Sequence, residues 1–270
     1  MSGFNAARYD DSFSTLERLY GRSAYRALRR LHICVIGLGG VGSWAVESLA
    51  RTGVGKITLI DFDTIELSNI NRQVIALDST VGQKKHAALH DRIKGINPAC
   101  TITIIDEFIT ENNTAELIQK THQFNYVIDA IDSIKFKSHL IAHCRRNKIP
   151  IITTGGAGGL NDPSKISICD LSKTYNDPLA SKVRSRLRQE YGFSKTKKFG
   201  VECVFSSQQQ VYPKDDGTVG PEKPGIHGVS LDCRFGYGST SFVTGTFGFF
   251  AAARAINKSL EKFLREQEEN

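Results

Sequence analysis

A glycine-rich turn, Gly37-Leu-Gly-Gly-Val-Gly42, constrains the fold of this chain more than any other feature. The residues before it, His32–Gly37, form an apolar run typical of a buried strand, and Ser43–Arg51 carries its apolar residues at helical spacing. Glycines allow a tight turn and a close approach of the backbone to a phosphate, while the N-terminus of a helix offers free N–H groups. The turn therefore predicts a phosphate cradle, whose candidate contacts are Gly39, Gly40 and Gly42.

A carboxylate follows at the distance that a nucleotide-binding unit requires. Asp61 ends the next apolar run, Lys56–Asp61, nineteen residues after Gly42. A carboxylate at the end of this strand can accept hydrogen bonds from ribose hydroxyl groups. Strand, turn, helix and carboxylate together predict a nucleotide with a free ribose, although they do not distinguish NAD from ATP. The alternative is a glycine turn selected only for packing.

Buried strands alternate with helices along the first half of the chain. Three further apolar runs predict strands and two segments predict helices: Thr101–Asp106, Asn125–Asp129 and Ile149–Thr153, then Gln83–Ile96 and Ser133–Asn147. This alternation is typical of a parallel sheet with helices on both faces. Right-handed crossovers place the carboxyl ends of the strands at one edge, where ligands bind. The predicted fold class is α/β, a doubly wound and mostly parallel sheet.

The second half continues without a linker but has a different composition. Its segments predict two strands, a basic helix, a mobile loop and a long closing helix: Ser164–Asp170, Gly200–Phe205, Pro178–Glu190, Tyr212–Gly228 and Ser239–Leu264. The uncharged stretch Phe235–Ala253 has nearly the length of a membrane span, but nine of its nineteen residues are Gly, Ser or Thr. We therefore expect a buried helix there and no stable membrane insertion, with a membrane span as the alternative.

Composition limits the class of protein further. Of 270 residues, 40% are hydrophobic and 23% are charged, values that exclude a disordered or fibrous chain. The six cysteines form no CxxC pair, so zinc-ribbon spacing is absent. Reduced, mostly structural thiols in a cytoplasmic protein are expected. The formal net charge of +7 suggests an anionic partner without naming one.

Polar residues are dense where the second and fourth strands end. They fall in three segments: Asp61–Gln73, Thr80–Lys85 and Asp129–Ser133. A site that breaks a triphosphate needs Arg and Lys against the charge on the leaving pyrophosphate, and a carboxylate that holds Mg²⁺, whereas an NAD site needs neither. Each candidate also has a plain alternative: Arg72 as a surface arginine, Lys84 and Lys85 as a solvated helix start, and Asp132 as a helix N-cap. In combination they favour ATP.

These motifs resemble the adenylating domain of the ubiquitin-activating E1 superfamily, which includes the activators of molybdopterin and thiamine sulfur carriers. The matching stretches are GLGGVG, DFDTIELSNINRQ, TVGQKK and DAIDS, within about residues 14–155. The family adenylates a carboxylate with ATP and Mg²⁺ on a Rossmann-like half. The resemblance implies that the metal ligand is Asp132, that the catalytic residues are Arg72, Lys85 and Asp132, and that the nucleotide contacts are Gly39, Gly40, Gly42, Asp61, Asp63, Asn69, Asn71, Arg72, Gln73, Lys85, Asp132 and Ser133. It also implies a homodimer in which Arg18 reaches the ATP of the partner subunit.

The second half narrows the resemblance. Sulfur-carrier activators usually carry two zinc-binding CxxC pairs, which this chain lacks, and it shows instead RRNKIPIITTGGAGG, DPLASKVRSRLRQ and GVECVFSSQQ. These stretches are similar to the tRNA threonylcarbamoyladenosine dehydratases, and with them the resemblance covers nearly the whole chain. It implies one E1-like domain over residues 1–270, with an ATP-binding half, 1–155, and a substrate-binding and dimer-completing half, 156–270. It also implies ATP-dependent adenylation and cyclising dehydration of N6-threonylcarbamoyladenosine (t6A) at position 37 of tRNA.

Three other functions stay open. The chain could adenylate the C-terminal Gly-Gly of a small sulfur-carrier protein, or it could be a non-catalytic nucleotide-binding partner of a sulfur-transfer system. The third is an NAD-dependent dehydrogenase, for which no hydride-transfer site is visible. The missing CxxC pairs disfavour the first, and Arg72, Lys85 and Asp132 disfavour the second. A sulfur-transfer protein stays a candidate partner.

Positive charge is clustered in a way that suits a phosphate backbone. Between Lys135 and Lys148 there are five Lys and Arg residues and no acidic residue. A second cluster holds seven basic residues and one acidic residue, and its candidate tRNA contacts are Lys182, Arg184, Arg186, Arg188, Lys195, Lys197 and Lys198. Tyr191 and Phe193 could stack on a base. The alternative is a solvated helix face with core aromatics.

Cys203 could be a structural thiol or a nucleophile, because some E1-type enzymes form a thioester on a cysteine. It lies in the apolar stretch Val-Glu-Cys-Val-Phe, with no His or Lys beside it in the sequence to activate a thiol. We expect a buried structural thiol, with a nucleophile as the alternative. Ring closure on tRNA needs no covalent enzyme intermediate.

Overall fold

The computed structural model describes residues 6–119, 123–214, 216–222 and 238–269. Seven strands form the main sheet: β1 (His32–Ile36), β2 (Lys56–Ile60), β3 (Thr101–Ile105), β4 (Tyr126–Asp129), β5 (Ile151–Thr154), β6 (Ile166–Asp170) and β7 (Glu202–Ser206). The α-helices in these ranges are α1 (Ala6–Phe13), α2 (Thr15–Tyr20), α3 (Arg22–Leu28), α4 (Gly42–Arg51), α5 (Lys85–Ile96), α6 (Thr114–Leu117), α7 (Ile134–Arg146), α8 (Pro178–Glu190) and α9 (Ser241–Glu268).

The strand order is β3-β2-β1-β4-β5-β7-β6, and all neighbours are parallel except β6 and β7. The predicted doubly wound, mostly parallel sheet is confirmed. The antiparallel edge was not predicted, because the alternation within a strand does not reveal its direction. β1 lies between β2 and β4, so the order of the strands reverses there and a crevice opens beyond their carboxyl ends.

The register of the strands aligns the residues that begin the site. Ile36 of β1 pairs with Ile60 of β2 on one side and with Asp129 of β4 on the other. Asp129 pairs in turn with Thr153 of β5. The residues that follow this row therefore leave the sheet together, and the glycine turn, Asp61 and the turn after β4 meet at one edge.

Two apolar cores cover the faces of the sheet. Buried residues of α3, α4, α5 and α9 form one core, and those of α7 and α8 form the other. α9 packs closely on α4, since a Cβ on Gly248 would lie 2.6 Å from the carbonyl oxygen of Val41. The long closing helix is thus confirmed as a buried element, although residues 235–237 of the uncharged stretch lie outside the described residues. In the described ranges no helix is both long enough and apolar enough to cross a membrane.

The loop predicted over Tyr212–Gly228 begins with a short hairpin. Tyr212–Pro213 (β8) and Val219–Gly220 (β9) pair in antiparallel fashion. The rest of this prediction, from residue 223 onward, lies outside the described residues. Pro213 stands in a two-residue strand of an isolated hairpin, where a missing N–H breaks no ladder of the main sheet.

Candidate nucleotide site and basic surface

The glycine turn fits against the turn that follows β4 with no space for a side chain. A Cβ on Gly37, whose φ is +83°, would lie 2.8 Å from the carbonyl oxygen of Ala130. A Cβ on Gly42 would lie 1.8 Å from the carbonyl oxygen of Gly37. Glycine is therefore required at both positions. The N-cap residue of α4 makes no side-chain capping bond, and the N–H of Ser43 donates to the carbonyl of Gly39 at 3.0 Å, so the other N–H groups of the first turn are available to a phosphate.

Asp61 holds the glycine turn and the loop after β2 together. Its Oδ2 accepts the N–H of Leu38 at 2.6 Å, and its Oδ1 accepts the N–H of Asp63 at 2.8 Å. Each carboxylate oxygen keeps a second lone pair. The carboxylate can therefore accept a ribose hydroxyl while it fixes the loop beside the glycine turn.

Arg72 is fixed through its backbone by two helices. Its carbonyl accepts the indole N–H of Trp44 at 3.0 Å and the hydroxyl of Thr244 at 3.1 Å. Its Nη1 donates to the carbonyl of Ser68 at 2.6 Å and to Oδ1 of Asn71 at 3.0 Å. A Cβ on Gly40 would lie 3.4 Å from Cγ of Arg72, so the side chain starts beside the glycine turn. Its remaining N–H groups are available to an anion.

The three amides of this segment have different surroundings. Oδ1 of Asn69 accepts the N–H of Glu66 at 3.2 Å, so this amide serves its own turn. Nδ2 of Asn71 donates to the carbonyl of Ser239 at 2.9 Å, just before α9. Gln73 is buried beside Gly39, and its Oε1 has no hydrogen-bond partner among the described residues. An unpaired buried amide oxygen is costly, so it marks a place where a ligand or water would complete the site.

The two neighbouring lysines are held differently. Nζ of Lys85 contacts Oδ2 of Asp63 at 2.7 Å, and the residue is buried. Lys84 donates to the carbonyl of Phe62 and to Asp106, and its hydrogen bond lowers the pKa of that carboxyl group. The alternative of a solvated helix start is therefore wrong for Lys85. Its ammonium retains two further N–H groups for a phosphate.

Asp132 is exposed next to the start of α7. The helix begins at Ile134 with Ser133 at the N-cap position, so the alternative of Asp132 as the N-cap is wrong. The carboxylate of Asp132 has no hydrogen bond or ion pair with the described residues. No cluster of three His, Cys, Asp or Glu residues within those ranges could hold a metal alone. One free carboxylate fits Mg²⁺, which commonly takes its other ligands from phosphates and water.

An aromatic row that was not predicted from the sequence lies at the same edge. The rings of Phe62 and Phe108 are 5.2 Å apart, and those of Phe108 and Phe136 are 4.7 Å apart, both edge to face. Phe62 and Phe108 are 44% and 39% exposed. The signal in the sequence is an aromatic residue directly after Asp61, at a strand end where solvent-facing polar residues dominate. Such rings can stack on a purine.

The basic residues of α8 and the following loop divide into two groups. Arg184 is half-buried and donates to Thr174, and burial lowers its pKa. Arg186 pairs with Glu190 at 2.7 Å, and Arg188 lies over the ring of Phe199 at 5.3 Å. The exposed cations without a partner among the described residues are Lys182, Lys195, Lys197 and Lys198. Tyr191 and Phe193 pack against the apolar core, as the alternative to base stacking expected.

Two other predicted cations have surroundings that the sequence did not indicate. Lys137, in the run Lys135–Lys148, is 1% exposed and pairs with Asp129, so it does not belong to a surface cluster. Arg18 is exposed on α2 and lines a cleft with Ser14, Glu17 and Arg22. Within the described chain that cleft includes none of the nucleotide-site residues, so the structure does not bring Arg18 to them.

Comparison with known proteins identifies the relatives of this chain. The model of the ThiF family matches residues 13–270. A tRNA threonylcarbamoyladenosine dehydratase of Escherichia coli is 49% identical over 257 residues, which are 94% of this chain and 95% of the relative. A crystal structure of the E. coli enzyme in complex with ATP has a TM-score of 0.84 and 45% identity, and the match covers 97% of this chain and 98% of that one. The molybdopterin-synthase adenylyltransferase of E. coli is 37% identical over 127 residues, 47% of this chain and 50% of that protein.

Labelling of the thiols tests whether Cys203 is a structural residue, and it needs no assay of activity. Cys203 is fully buried, and burial raises its pKa well above the ordinary value, whereas Cys169 is only partly buried. Burial raises the pKa of Cys169 as well, so we base the expectation on access: iodoacetamide should modify Cys203 of the native protein at least about tenfold more slowly than Cys169, because a fully buried thiol reacts only when the structure opens locally. Mass spectrometry of tryptic peptides measures both rates. Urea should equalise them, and fast labelling of native Cys203 would contradict a structural thiol.

Proposed function

We propose that this chain, which belongs to the ThiF family and within it to the tRNA threonylcarbamoyladenosine dehydratases, uses ATP to cyclise t6A at position 37 of tRNA. The observation that carries the proposal is the meeting of the glycine turn, Asp61, Arg72, Lys85 and Asp132 at one edge of the sheet. Basic groups and a free carboxylate around a ribose-binding carboxylate suit a triphosphate and not NAD. The match to dehydratases spans 94% of the chain, whereas the match to a sulfur-carrier activator spans 47%.

The residues of the chain would hold ATP in one orientation. The N–H groups at the start of α4 bind phosphate oxygens, and Asp61 accepts the ribose hydroxyls. Phe62 and Phe108 offer exposed rings to the adenine. Arg72 and Lys85 face the β- and γ-phosphates, where they stabilise the negative charge that develops on pyrophosphate as it leaves.

Asp132 fits a Mg²⁺ ion that ATP brings with it. When bound, the ion neutralises phosphate charge and polarises the phosphoryl oxygens. Asp132 would orient that cation by a single carboxylate, which is free of other partners in the described chain. Ser133 follows Asp132 directly, as the N-cap residue of α7.

The chemistry then proceeds in two steps. The threonyl carboxylate of t6A attacks the α-phosphorus of ATP, an O–P bond forms, and pyrophosphate leaves. The carbamoyl nitrogen of the same nucleoside attacks the activated carbonyl carbon, so that a C–N bond forms, the nitrogen loses its proton and AMP leaves with the carboxylate oxygen. The second step is intramolecular and gains from proximity, so it needs no thioester on the enzyme. The burial of Cys203 agrees with that route.

The tRNA would lie on the α8 face, the surface formed by α8 and the loop that follows it. Lys182, Lys195, Lys197 and Lys198 are the cations that the fold leaves exposed there, and a phosphate backbone is the partner that suits them. Arg184, Arg186 and Arg188 already have partners inside the chain, and they would shape this surface rather than bind tRNA directly.

The remaining parts of the proposal concern assembly and location. We expect a cytoplasmic homodimer in which residues 156–270 complete the substrate site and the interface. Arg18, exposed on α2, would reach the nucleotide of the partner subunit. A sulfur-transfer protein would act only as an accessory partner, since the proposed reaction moves no sulfur.

Replacing Asp132 by Ala should abolish adenylation and leave the fold intact. Removal of the metal ligand should lower AMP formation by at least about a hundredfold, whereas stability should change little because Ser133 is the N-cap. AMP release and thermal melting measure the two effects. Glu111→Gln is the matched control, since it removes another exposed carboxylate, one that pairs with Lys135 at 3.1 Å. Normal AMP formation by the Asp132 variant would contradict the proposed role.

Replacing Lys195, Lys197 and Lys198 together by Gln should weaken tRNA binding. The slope of log affinity against log salt concentration is negative, and its magnitude should decrease by about 0.7–0.9 for each phosphate that the protein no longer neutralises. The affinity for ATP should not change. The matched control replaces Arg22, Arg26 and Arg30 by Gln, because it removes the same charge next to the opposite core. Equal effects of the two triple variants would mean that the affinity for tRNA depends only on the net charge of the protein and that tRNA has no site on the α8 face.

A further inference from the structure

Lys137 is the most deeply buried cation near the nucleotide site in the described chain, and the function proposed above does not use it. The residue is 1% exposed and lies in the first turns of α7. Its Nζ contacts Oδ2 of Asp129 at 3.0 Å and donates to the carbonyl of Ile131 at 2.8 Å and to that of Asp129 at 3.3 Å. Three oxygens thus satisfy the three N–H groups of one ammonium.

Asp129 completes the same network from the end of β4. Its Oδ1 accepts the N–H of Ile131 at 3.1 Å, and its Oδ2 accepts the hydroxyl of Thr153 at 2.6 Å. The carboxylate is fully buried, so its charge depends on Lys137 for compensation. Carboxylate, ammonium and backbone therefore lock residues 129–131 into one turn.

That turn carries two parts of the candidate site. Asp132 follows it directly, and the carbonyl of Ala130 is the oxygen that leaves no space for a side chain on Gly37. A rotation of the turn would move the carboxylate of Asp132 and the support of the glycine turn together. Asp132 itself has no hydrogen bond among the described residues, so the turn is what sets its direction.

We propose that Lys137 is a positioning residue, whose buried ammonium holds the turn of residues 129–131 so that Asp132 presents its carboxylate to the Mg²⁺ of bound ATP. The inference rests on the proposed function, because it takes Asp132 as the metal ligand. Lys137 touches neither the nucleotide nor the metal in this account. It acts on them through the two backbone carbonyls, as an outer-shell partner orients a ligand.

Replacing the Lys137–Asp129 ion pair with two neutral residues distinguishes a positioning role of Lys137 from a purely structural one. Lys137→Met alone leaves the charge of Asp129 buried and unpaired, and this variant should melt earlier than the wild type. Lys137→Met combined with Asp129→Asn removes both charges and keeps the polar contacts of residue 129 with Thr153 and Ile131. The double variant should recover most of the decrease in melting temperature. It does not restore the ammonium contacts to the carbonyls of residues 129 and 131.

The experiment measures Mn²⁺ binding by electron paramagnetic resonance in the presence of ATP and without tRNA. The double variant should melt close to the wild type but bind Mn²⁺·ATP about 10–100-fold more weakly. Lys135→Met is the matched control on the same helix. Lys135 is exposed and pairs with Glu111, so its replacement should change neither quantity.

Two results would overturn the inference, and they can be told apart. If the double variant binds Mn²⁺·ATP as tightly as the wild type, Lys137 serves stability alone while the proposed function stands. If the wild type binds Mn²⁺·ATP no more tightly than Asp132→Asn, Asp132 is not the metal ligand, and the role that the proposed function gives to Asp132 fails together with the inference.

Discussion

The candidate site depends on the contact between the glycine turn and the turn that follows β4. A single added carbon on Gly37 would meet the carbonyl of Ala130 at 2.8 Å, so the two turns touch through backbone alone. The contact joins the phosphate cradle to the segment that ends in Asp132. Because Asp61 binds the N–H of Leu38 within the same glycine turn, three strand ends are connected through one short segment. The backbone contact between the two turns and the hydrogen bonds of the Asp61 carboxylate therefore place these groups together.

Local features of the sequence predicted the strands, the glycine turn and the position of Asp61, because each depends on periodicity or on neighbouring residues. The antiparallel direction of β6 and the burial of Lys137 depend on contacts between distant segments. Lys137 is one of five cations in a basic run, and only the position of Asp129 at the end of β4 turns it inward. Likewise, nothing near Arg184 in the sequence indicates that Thr174 would accept its hydrogen bond. The aromatic row also brings together residues from three separate parts of the chain: Phe62 after β2, Phe108 after β3 and Phe136 on α7.

Whether a charged side chain near the candidate site has a partner depends on how deeply it is buried. The buried charges of Lys85, Lys137 and Asp129 are paired, and the buried carboxylate of Asp177 accepts backbone N–H groups instead, because an uncompensated ion inside a protein is strongly destabilising. The exposed lysines beyond α8 have no partners among the described residues, and in water that costs little. Paired charges therefore hold the candidate nucleotide site, and the unpaired lysines are the ones that the proposed function assigns to a large anionic substrate. A net charge of +7 alone could not have distinguished these two roles.

Transfer of oxygen is the most direct test of an acyl-adenylate route. A tRNA whose t6A carries ¹⁸O in the threonyl carboxylate would be incubated with the protein, ATP and Mg²⁺, and the AMP would be analysed by mass spectrometry. If the carboxylate attacks the α-phosphorus and ring closure then breaks the C–O bond, one ¹⁸O atom must appear in the phosphate of AMP. Unlabelled AMP, or ¹⁸O in inorganic phosphate together with ADP, would contradict adenylation as the chemistry of this site.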